Sequence, residues 1–190
     1  MASEEVTYRP AEKQDARRIA ELYSIASDGI SDYIWSKMAE PGDNLLDIGQ
    51  QRHERKNTAF SYENCTVAEA NNTVVAVLLA YEMLEDDYIE EDPVLKPFWL
   101  LEETNSFYIA GIAVDEAWRQ KGIARALMDQ AEDRCRQSGF DKLSLIVFEA
   151  NKVAHDFYLR LGYVEIMRKT IVDHPKIYYT GDALLLVKSL

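Results

Sequence analysis

The chain has 190 residues, 47% of them hydrophobic and 28% charged, and its 33 acidic against 21 basic side chains leave a net charge of −12. That composition fits one soluble globular domain over residues 1–190 with core enough to fold, and it argues against general attraction to nucleic acid or to an anionic membrane. No apolar run approaches the ~20 residues that cross a bilayer, and Met1-Ala2-Ser3-Glu4-Glu5 lacks the basic and apolar regions of a secretory signal, so a cytoplasmic location is expected.

In chain order, Val6–Arg9 reads as a first strand ended by Pro10. Between Lys13 and Ala26 the residues Ala16, Ile19, Ala20, Leu22, Tyr23 and Ala26 recur at helical spacing, which leaves Arg17, Arg18 and Glu21 toward water. Ile30–Met38 is a second helical piece closed by Pro41-Gly42, and Asn44–Asn57 is a more polar helical segment. Cys65–Glu69, the turn Asn71-Asn72 and Thr73–Leu84 predict a β-hairpin, because asparagine tolerates the left-handed conformations of tight turns. Glu82–Asp92 holds seven acidic and no basic residues, the signature of a solvated loop before Pro93–Pro97.

Phe107–Val114 resumes as a strand, Gly122–Arg136 is a helix with Ile123, Ala126, Leu127 and Ala131 on one face, and Gly139 sits where a left-handed cap would. The nearly unbroken apolar run Leu143–Phe148 suits a strand covered on both faces. Asn151–Leu161 is a helix stopped by Gly162, and Tyr163–Ile171 and Ala183–Val187 are closing strands around a polar loop at His174-Pro175. The order β-α-α-β-β-β-α-β-α-β-β describes an α/β fold, in which the strands flanking the Gly122 helix run parallel. Cys65 and Cys135 have no Cys-x-x-Cys or histidine partners and read as buried, reduced packing residues. His53, His155 and His174 are scattered, so no metal site is expected.

The segment with the strongest chemical signal joins the strand Ile112-Ala113-Val114 to the helix beginning at Ile123 through Asp115-Glu116-Ala117-Trp118-Arg119-Gln120-Lys121-Gly122. A helix start leaves backbone N–H groups without intrahelical partners, and with the helix dipole these attract a phosphate. Gly122 permits close backbone approach, and Arg119, Lys121 and Arg125 add positive charge, an arrangement suited to a diphosphate. It is neither a Walker P-loop nor a three-glycine dinucleotide fingerprint.

Arg-x-x-Gly-x-Ala after a strand ending Ile-x-Val resembles the acyl-CoA-binding signature of the GNAT superfamily of N-acetyltransferases. About 30 residues downstream, Asn151-x-x-Ala154-x-x-Phe157-Tyr158-x-x-x-Gly162-Tyr163 resembles that superfamily's other signature. The resemblance implies a single-domain α/β fold with a mixed sheet of about seven strands, helices on both faces and a splayed parallel pair that receives pantetheine. It implies acetyl-CoA as co-substrate and no metal. Ile112, Ala113 and Val114 would orient pantetheine and the acetyl carbonyl; the backbone of Gln120, Lys121, Gly122, Ile123, Ala124 and Arg125 would hold the diphosphate; Asn151 would bond the pantetheine arm or cap its own helix.

Acetyl transfer from a thioester to an amine needs an oriented carbonyl, oxyanion stabilisation and a proton for the departing thiolate. Tyr158 is the implied proton donor, since a phenol titrating near ~10 is protonated at neutral pH and a thiolate whose thiol titrates near ~8.5 accepts a proton. Its place on the stripe Ala154, Phe157, Tyr158, Leu161 is equally that of a core helix residue. Where relatives acting on protein N-termini often carry a glutamate, this chain has Ile146, so Glu149, Asp115, Glu102 and Glu103 are the alternative bases. The acidic Glu82–Asp92 and the aromatic segments Tyr33-Ile34-Trp35 and Phe98-Trp99 fall where the superfamily places acceptor loops, which fits a cationic, partly apolar amine or a peptide N-terminus as well as it fits a solvated loop beside packing aromatics. Homodimerisation through the terminal strands is expected by analogy. Two other readings stand beside transfer: an acyl-CoA-binding sensor without turnover, and an interaction domain whose basic turn only caps a helix.

Overall fold

Asn71 and Asn72, both with positive φ (51° and 59°), close the hairpin between β2 (Cys65–Ala70) and β3 (Thr73–Met83). Asparagine enters this region because its short polar side chain bonds locally. The computed structural model describes residues 5–190. The remaining strands are β1 (Thr7–Pro10), β4 (Ser106–Val114), β5 (Lys142–Phe148), β6 (Val164–Thr170) and β7 (Asp182–Ser189). They form a mixed seven-stranded sheet in the order β1-β2-β3-β4-β5-β7-β6, so the expected α/β class and strand number hold. The helices are α1 (Ala16–Ala26), α2 (Ile30–Met38), α3 (Leu45–His53), α4 (Lys96–Trp99), α5 (Ile123–Gln137) and α6 (Lys152–Arg160).

The chain divides into two compact units, one of residues up to Ala80 with Gly111–Ala131, the other of Tyr81–Ala110 with Glu132–Leu190. In the first, β1 pairs antiparallel with β2 from Thr7↔Glu69, and β2 with β3. Helix α1 buries Ala16, Ile19, Ala20, Leu22 and Tyr23, the stripe predicted by its spacing. The Tyr23 ring meets His53 edge-on, with centroids 5.5 Å apart, and Trp35 closes over Gly49, where an added Cβ would lie 2.6 Å from the indole. Cys65 and Cys135 are buried thiols outside any disulfide, as expected of packing residues.

In the second unit, β4 and β5 run parallel from Phe107↔Leu143 to Ile109↔Leu145, and β5–β7 and β7–β6 are antiparallel. The buried hydroxyls of Ser106 and Ser144 bond at 2.6 Å across the parallel pair, and the Lys142 ammonium engages Glu103 beside them. A hydroxyl pair satisfies both groups where a lone buried one would cost free energy. Each edge strand carries a device that discourages further pairing. β1 is short and ends in Pro10, with Arg9 held by Asp15 and Glu69. β6 bulges at Ile166 and then presents Arg168 and Lys169.

Some boundaries differ from expectation for local reasons. Pro10 is the last residue of β1 instead of its terminator, which an edge strand allows. The first turn of the Lys13–Ala26 helix is 3-10, over Lys13–Asp15. The segment Asn44–Asn57 is helical only over Leu45–His53, capped by Asn44, whose side chain accepts from the Leu46 N–H. Glu82 and Met83 belong to β3 and not to the acidic loop, and Pro97 lies in the first turn of an unanticipated short helix, where its missing N–H costs nothing.

Candidate active site

The first unit contributes a strand, a turn and a helix start. At the end of β4, the Asp115 N–H donates to the Val75 carbonyl at 2.8 Å, and Asp115 also receives the Arg18 guanidinium. The Val114 carbonyl accepts from Arg119 Nε at 3.1 Å. A 3-10 turn over Glu116–Trp118 follows, and the Lys121 ammonium lies 4.2 Å from the centre of the Trp118 ring. Gln120 and Gly122 then take left-handed conformations, φ 61° and 80°. Alternation of this kind curls successive N–H groups toward one side and makes a concavity for an anion.

The Gly122 carbonyl accepts from the Ala126 N–H at 3.0 Å, so α5 starts there and the N–H groups of Ile123, Ala124 and Arg125 fall outside its hydrogen-bond ladder. Arg125 pairs with Asp129 at 2.9 Å, one turn along the exposed face. A Cβ built on Gly122 would meet nothing within 4 Å, so glycine is required there by its backbone angle and by whatever approaches it, not by its neighbours. Gly111 is the opposite case. An added Cβ would lie 2.9 Å from Tyr23 Cε2 and 3.2 Å from Ala26 Cβ, so glycine is needed for helix α1 to seat on the strand.

The second unit contributes Glu149, Asn151 and Tyr158. The Asn151 side chain accepts from the Ala154 N–H at 3.2 Å and caps α6, the ordinary role open to it. Tyr158 is buried, and its ring meets Tyr163 edge-on, with centroids 5.9 Å apart, and lies 5.4 Å from Phe157. The Tyr163 hydroxyl is buried without a hydrogen-bond partner, and burial together with nearby Tyr158 raises its pKa. Glu149 is 3.4 Å from Arg168. Of the other carboxylates considered as a base, Asp115 holds Arg18 and Glu103 holds Lys142. Glu102 is the displaced one: loss of hydration where the chain enters β4, with Asp86 and Glu90 nearby, pushes its carboxyl up to about 7. Trp35 and Phe98 serve packing, the first against Gly49 and the second edge-on to Phe148 at 5.7 Å.

Sequence patterns missed three features of these units. One is Gly111, which belongs to no motif. Another is His53, which is 1% exposed with an unpartnered Nδ1 and has its pKa pushed down to about 4 by burial and by Arg52 and Arg55. The third is an edge-on pair between Tyr81 of β3 and Tyr108 of β4, with centroids 5.6 Å apart. Pairing between segments far apart in sequence leaves no local periodicity by which to find it. Among the described residues no cluster could hold a metal ion, and no helix is long and apolar enough to cross a membrane.

The sequence profile of the acetyltransferase (GNAT) family matches residues 22–163, which take in both the turn before α5 and Tyr158. The chain belongs to the acetyltransferase (GNAT) family. Among relatives of this GNAT protein, an uncharacterized protein of Bacillus subtilis (strain 168), YxbD, is 34% identical over 92 residues, which cover 42% of the chain and 58% of YxbD. The chain thus spans a little over half the length of that relative. Among solved structures, an acetyltransferase matches 96% of the chain and 98% of its own with a TM-score of 0.69 at 22% identity. An N-acetyltransferase from Staphylococcus aureus Mu50 matches 96% of the chain and 100% of its own with a TM-score of 0.68 at 19% identity. At such identities the likeness establishes the fold.

Proposed function

We propose that this GNAT protein transfers the acetyl group of acetyl-CoA to a primary amine by direct attack of the nitrogen on the thioester. The observation that carries the reading is the left-handed pair Gln120 and Gly122 at the start of α5, with three helical N–H groups outside the ladder and cations on the same turn. That arrangement suits a diphosphate better than a carboxylate. In this reading the backbone of Ile112, Ala113 and Val114 orients the pantetheine arm and the acetyl carbonyl. The amine nitrogen forms a bond to the carbonyl carbon, the carbon–sulfur bond breaks, Tyr158 gives its proton to the thiolate, and the nitrogen sheds its own proton to solvent. Glu149 acts as base only if the bond to Arg168 opens.

The salt bridges of Glu149, Asp115 and Glu103 favour a second reading, an acyl-CoA-binding sensor without turnover. One assay separates the two. The protein is incubated with acetyl-CoA and a panel of polyamines, amino acids, arylalkylamines and peptides, and free thiol is measured alongside calorimetry of CoA binding. Amine-dependent thiol supports transfer, whereas heat of binding without thiol for any amine supports the sensor. Absence of any heat would sink both.

A further inference from the structure

Three buried side-chain atoms among the described residues lack a hydrogen-bond partner: His53 Nδ1, Thr58 Oγ1 and the Tyr163 hydroxyl. Of these, only Tyr163 belongs to the second unit, the one that carries Tyr158. Tyr163 is 1% exposed, and Gly162, with φ 90°, turns the chain so that the Tyr163 N–H donates to the Tyr158 carbonyl at 3.2 Å. The two rings then meet edge-on, with their planes inclined by 62°. The other titratable groups whose charge bears on Tyr163 are Glu132 and Cys135, and both are engaged elsewhere. Glu132 holds Lys188 and lies 3.9 Å from Arg136, and the Cys135 thiol donates to the carbonyls of Phe140 and Lys142 at 3.5 Å. A buried hydroxyl without a partner costs free energy that a phenylalanine of the same shape would avoid. Packing alone therefore does not account for a tyrosine at this position.

We infer that Tyr163 is a positioning residue for the proton transfer, and that its hydroxyl donates to the Tyr158 oxygen once that oxygen has given up its proton. The inference rests on the acetyl-transfer reading and deepens its acid step. In that step the Tyr158 O–H bond breaks, an S–H bond forms on the thiolate, and the phenol oxygen keeps the electron pair as a phenolate. Tyr158 recovers a proton from solvent before the next turnover. Between the two events a negative charge sits on a ring only 7% exposed, where lost hydration opposes it. Hydrogen bonds to the charged form offset that cost, and an anion accepts from more than one donor at once. Burial and the surrounding charges keep the Tyr163 phenol protonated, so it stays a donor beside that anion. A bond to an ionised oxygen is about twice as strong as a neutral one, so the hydroxyl gains its partner when the charge appears. Such bonds are commonly open in a resting enzyme and close in the transition state.

The test is a double-mutant cycle of Tyr158→Phe and Tyr163→Phe in the thiol-release assay, run with acetyl-CoA and the amine of the panel that is turned over fastest. Acetyl-CoA affinity is measured by calorimetry and folding by thermal melt for each protein. Tyr163→Phe is expected to lower kcat by about tenfold, with the amine KM and the acetyl-CoA affinity within about twofold of native and a melting temperature no lower than native. In the Tyr158→Phe background the same substitution should change kcat by less than about twofold, because no phenolate forms there. A residue that only packs would cost the same in both backgrounds. An equal fall in the two backgrounds, or an unchanged kcat in Tyr163→Phe alone, overturns the inference and leaves acetyl transfer standing. So does a lowered melting temperature in Tyr163→Phe, which would show that the hydroxyl already has a partner at rest. An unchanged kcat in Tyr158→Phe overturns the acid assignment and the inference with it, and absence of amine-dependent thiol in the native protein overturns acetyl transfer itself.

Discussion

In the first unit the candidate chemistry is offered by the main chain, in the second by side chains. Residues 119–122 are exposed, Gln120 and Gly122 hold unusual backbone angles, and each of the surrounding cations already has a local contact. Tyr158 is 7% exposed and wedged among rings. A backbone site tolerates side-chain changes and resists changes of conformation, whereas a buried side-chain site does the reverse. The contrast extends to titration, because the first unit holds His53 pushed down to about 4 and the second holds Glu102 pushed up to about 7.

The largest expected effect is at Tyr158. Tyr158→Phe should lower kcat by about a hundredfold, the low end for a positioned proton donor, with little change in acetyl-CoA affinity. Steady-state thiol release with calorimetry checks this, and an unchanged kcat would place Tyr158 among packing residues. Next is the acid response. The folded state keeps buried His53 neutral while the unfolded chain binds a proton near its usual 6.5. His53 therefore contributes stability that is full above about pH 6.5 and is lost as pH falls toward 4, up to about 3 kcal/mol. Glu102 has the opposite sign, since the folded state holds a proton that the unfolded chain releases above its usual 4.5, so its contribution fades as pH rises toward 7. Urea unfolding from pH 4.5 to 7.5 should show stability that falls with rising pH in His53→Gln and rises with pH in Glu102→Gln, with the native protein between the two because the contributions oppose each other. Equal slopes in all three proteins would remove the contrast.

The two glycines of the strand–turn segment sharpen the comparison further. Gly111→Ala should destabilise the fold by about 1–3 kcal/mol through overpacking against Tyr23, seen in the melting temperature. Gly122→Ala should leave packing untouched but oppose the left-handed angle by about 1–2 kcal/mol, and should weaken CoA binding more than it lowers melting. Gly122→Asn should recover part of the loss, because asparagine enters that region more readily. The smallest effect concerns Tyr163. Removing its unpartnered buried hydroxyl in Tyr163→Phe should be neutral or stabilising by up to about 1 kcal/mol, whereas a loss of stability would reveal a bound water as its partner.

Much of the fold was legible because its signals are local. Helical spacing placed Ile19, Leu22 and Tyr23 in the core, Asn71-Asn72 marked the hairpin, and the glycines at 139 and 162 sit at helix ends with φ 81° and 90°. The strand, turn and helix start around Gly122 were legible for the same reason, as a helix start and its glycine are neighbours in sequence. Less so were the short helix at Pro97 and the end of α3 at His53, where weak polar patterns leave the outcome to packing. The occupied state of the candidate bases was not legible at all. That Asp115 holds Arg18, Glu103 holds Lys142 and Glu149 holds Arg168 depends on partners 19 to 97 residues away.

By itself the sequence determined most of the order of strands and helices, and the family, since hydrophobic period, caps and turn residues act within a few positions along the chain. Only the tertiary structure decided that Gly111 is glycine for the sake of Tyr23, that His53 is held neutral, and that Tyr81 and Tyr108 meet edge-on. Excluded volume, loss of hydration and ring contacts act between atoms close in space, and chain folding sets those neighbours without regard to their distance in sequence.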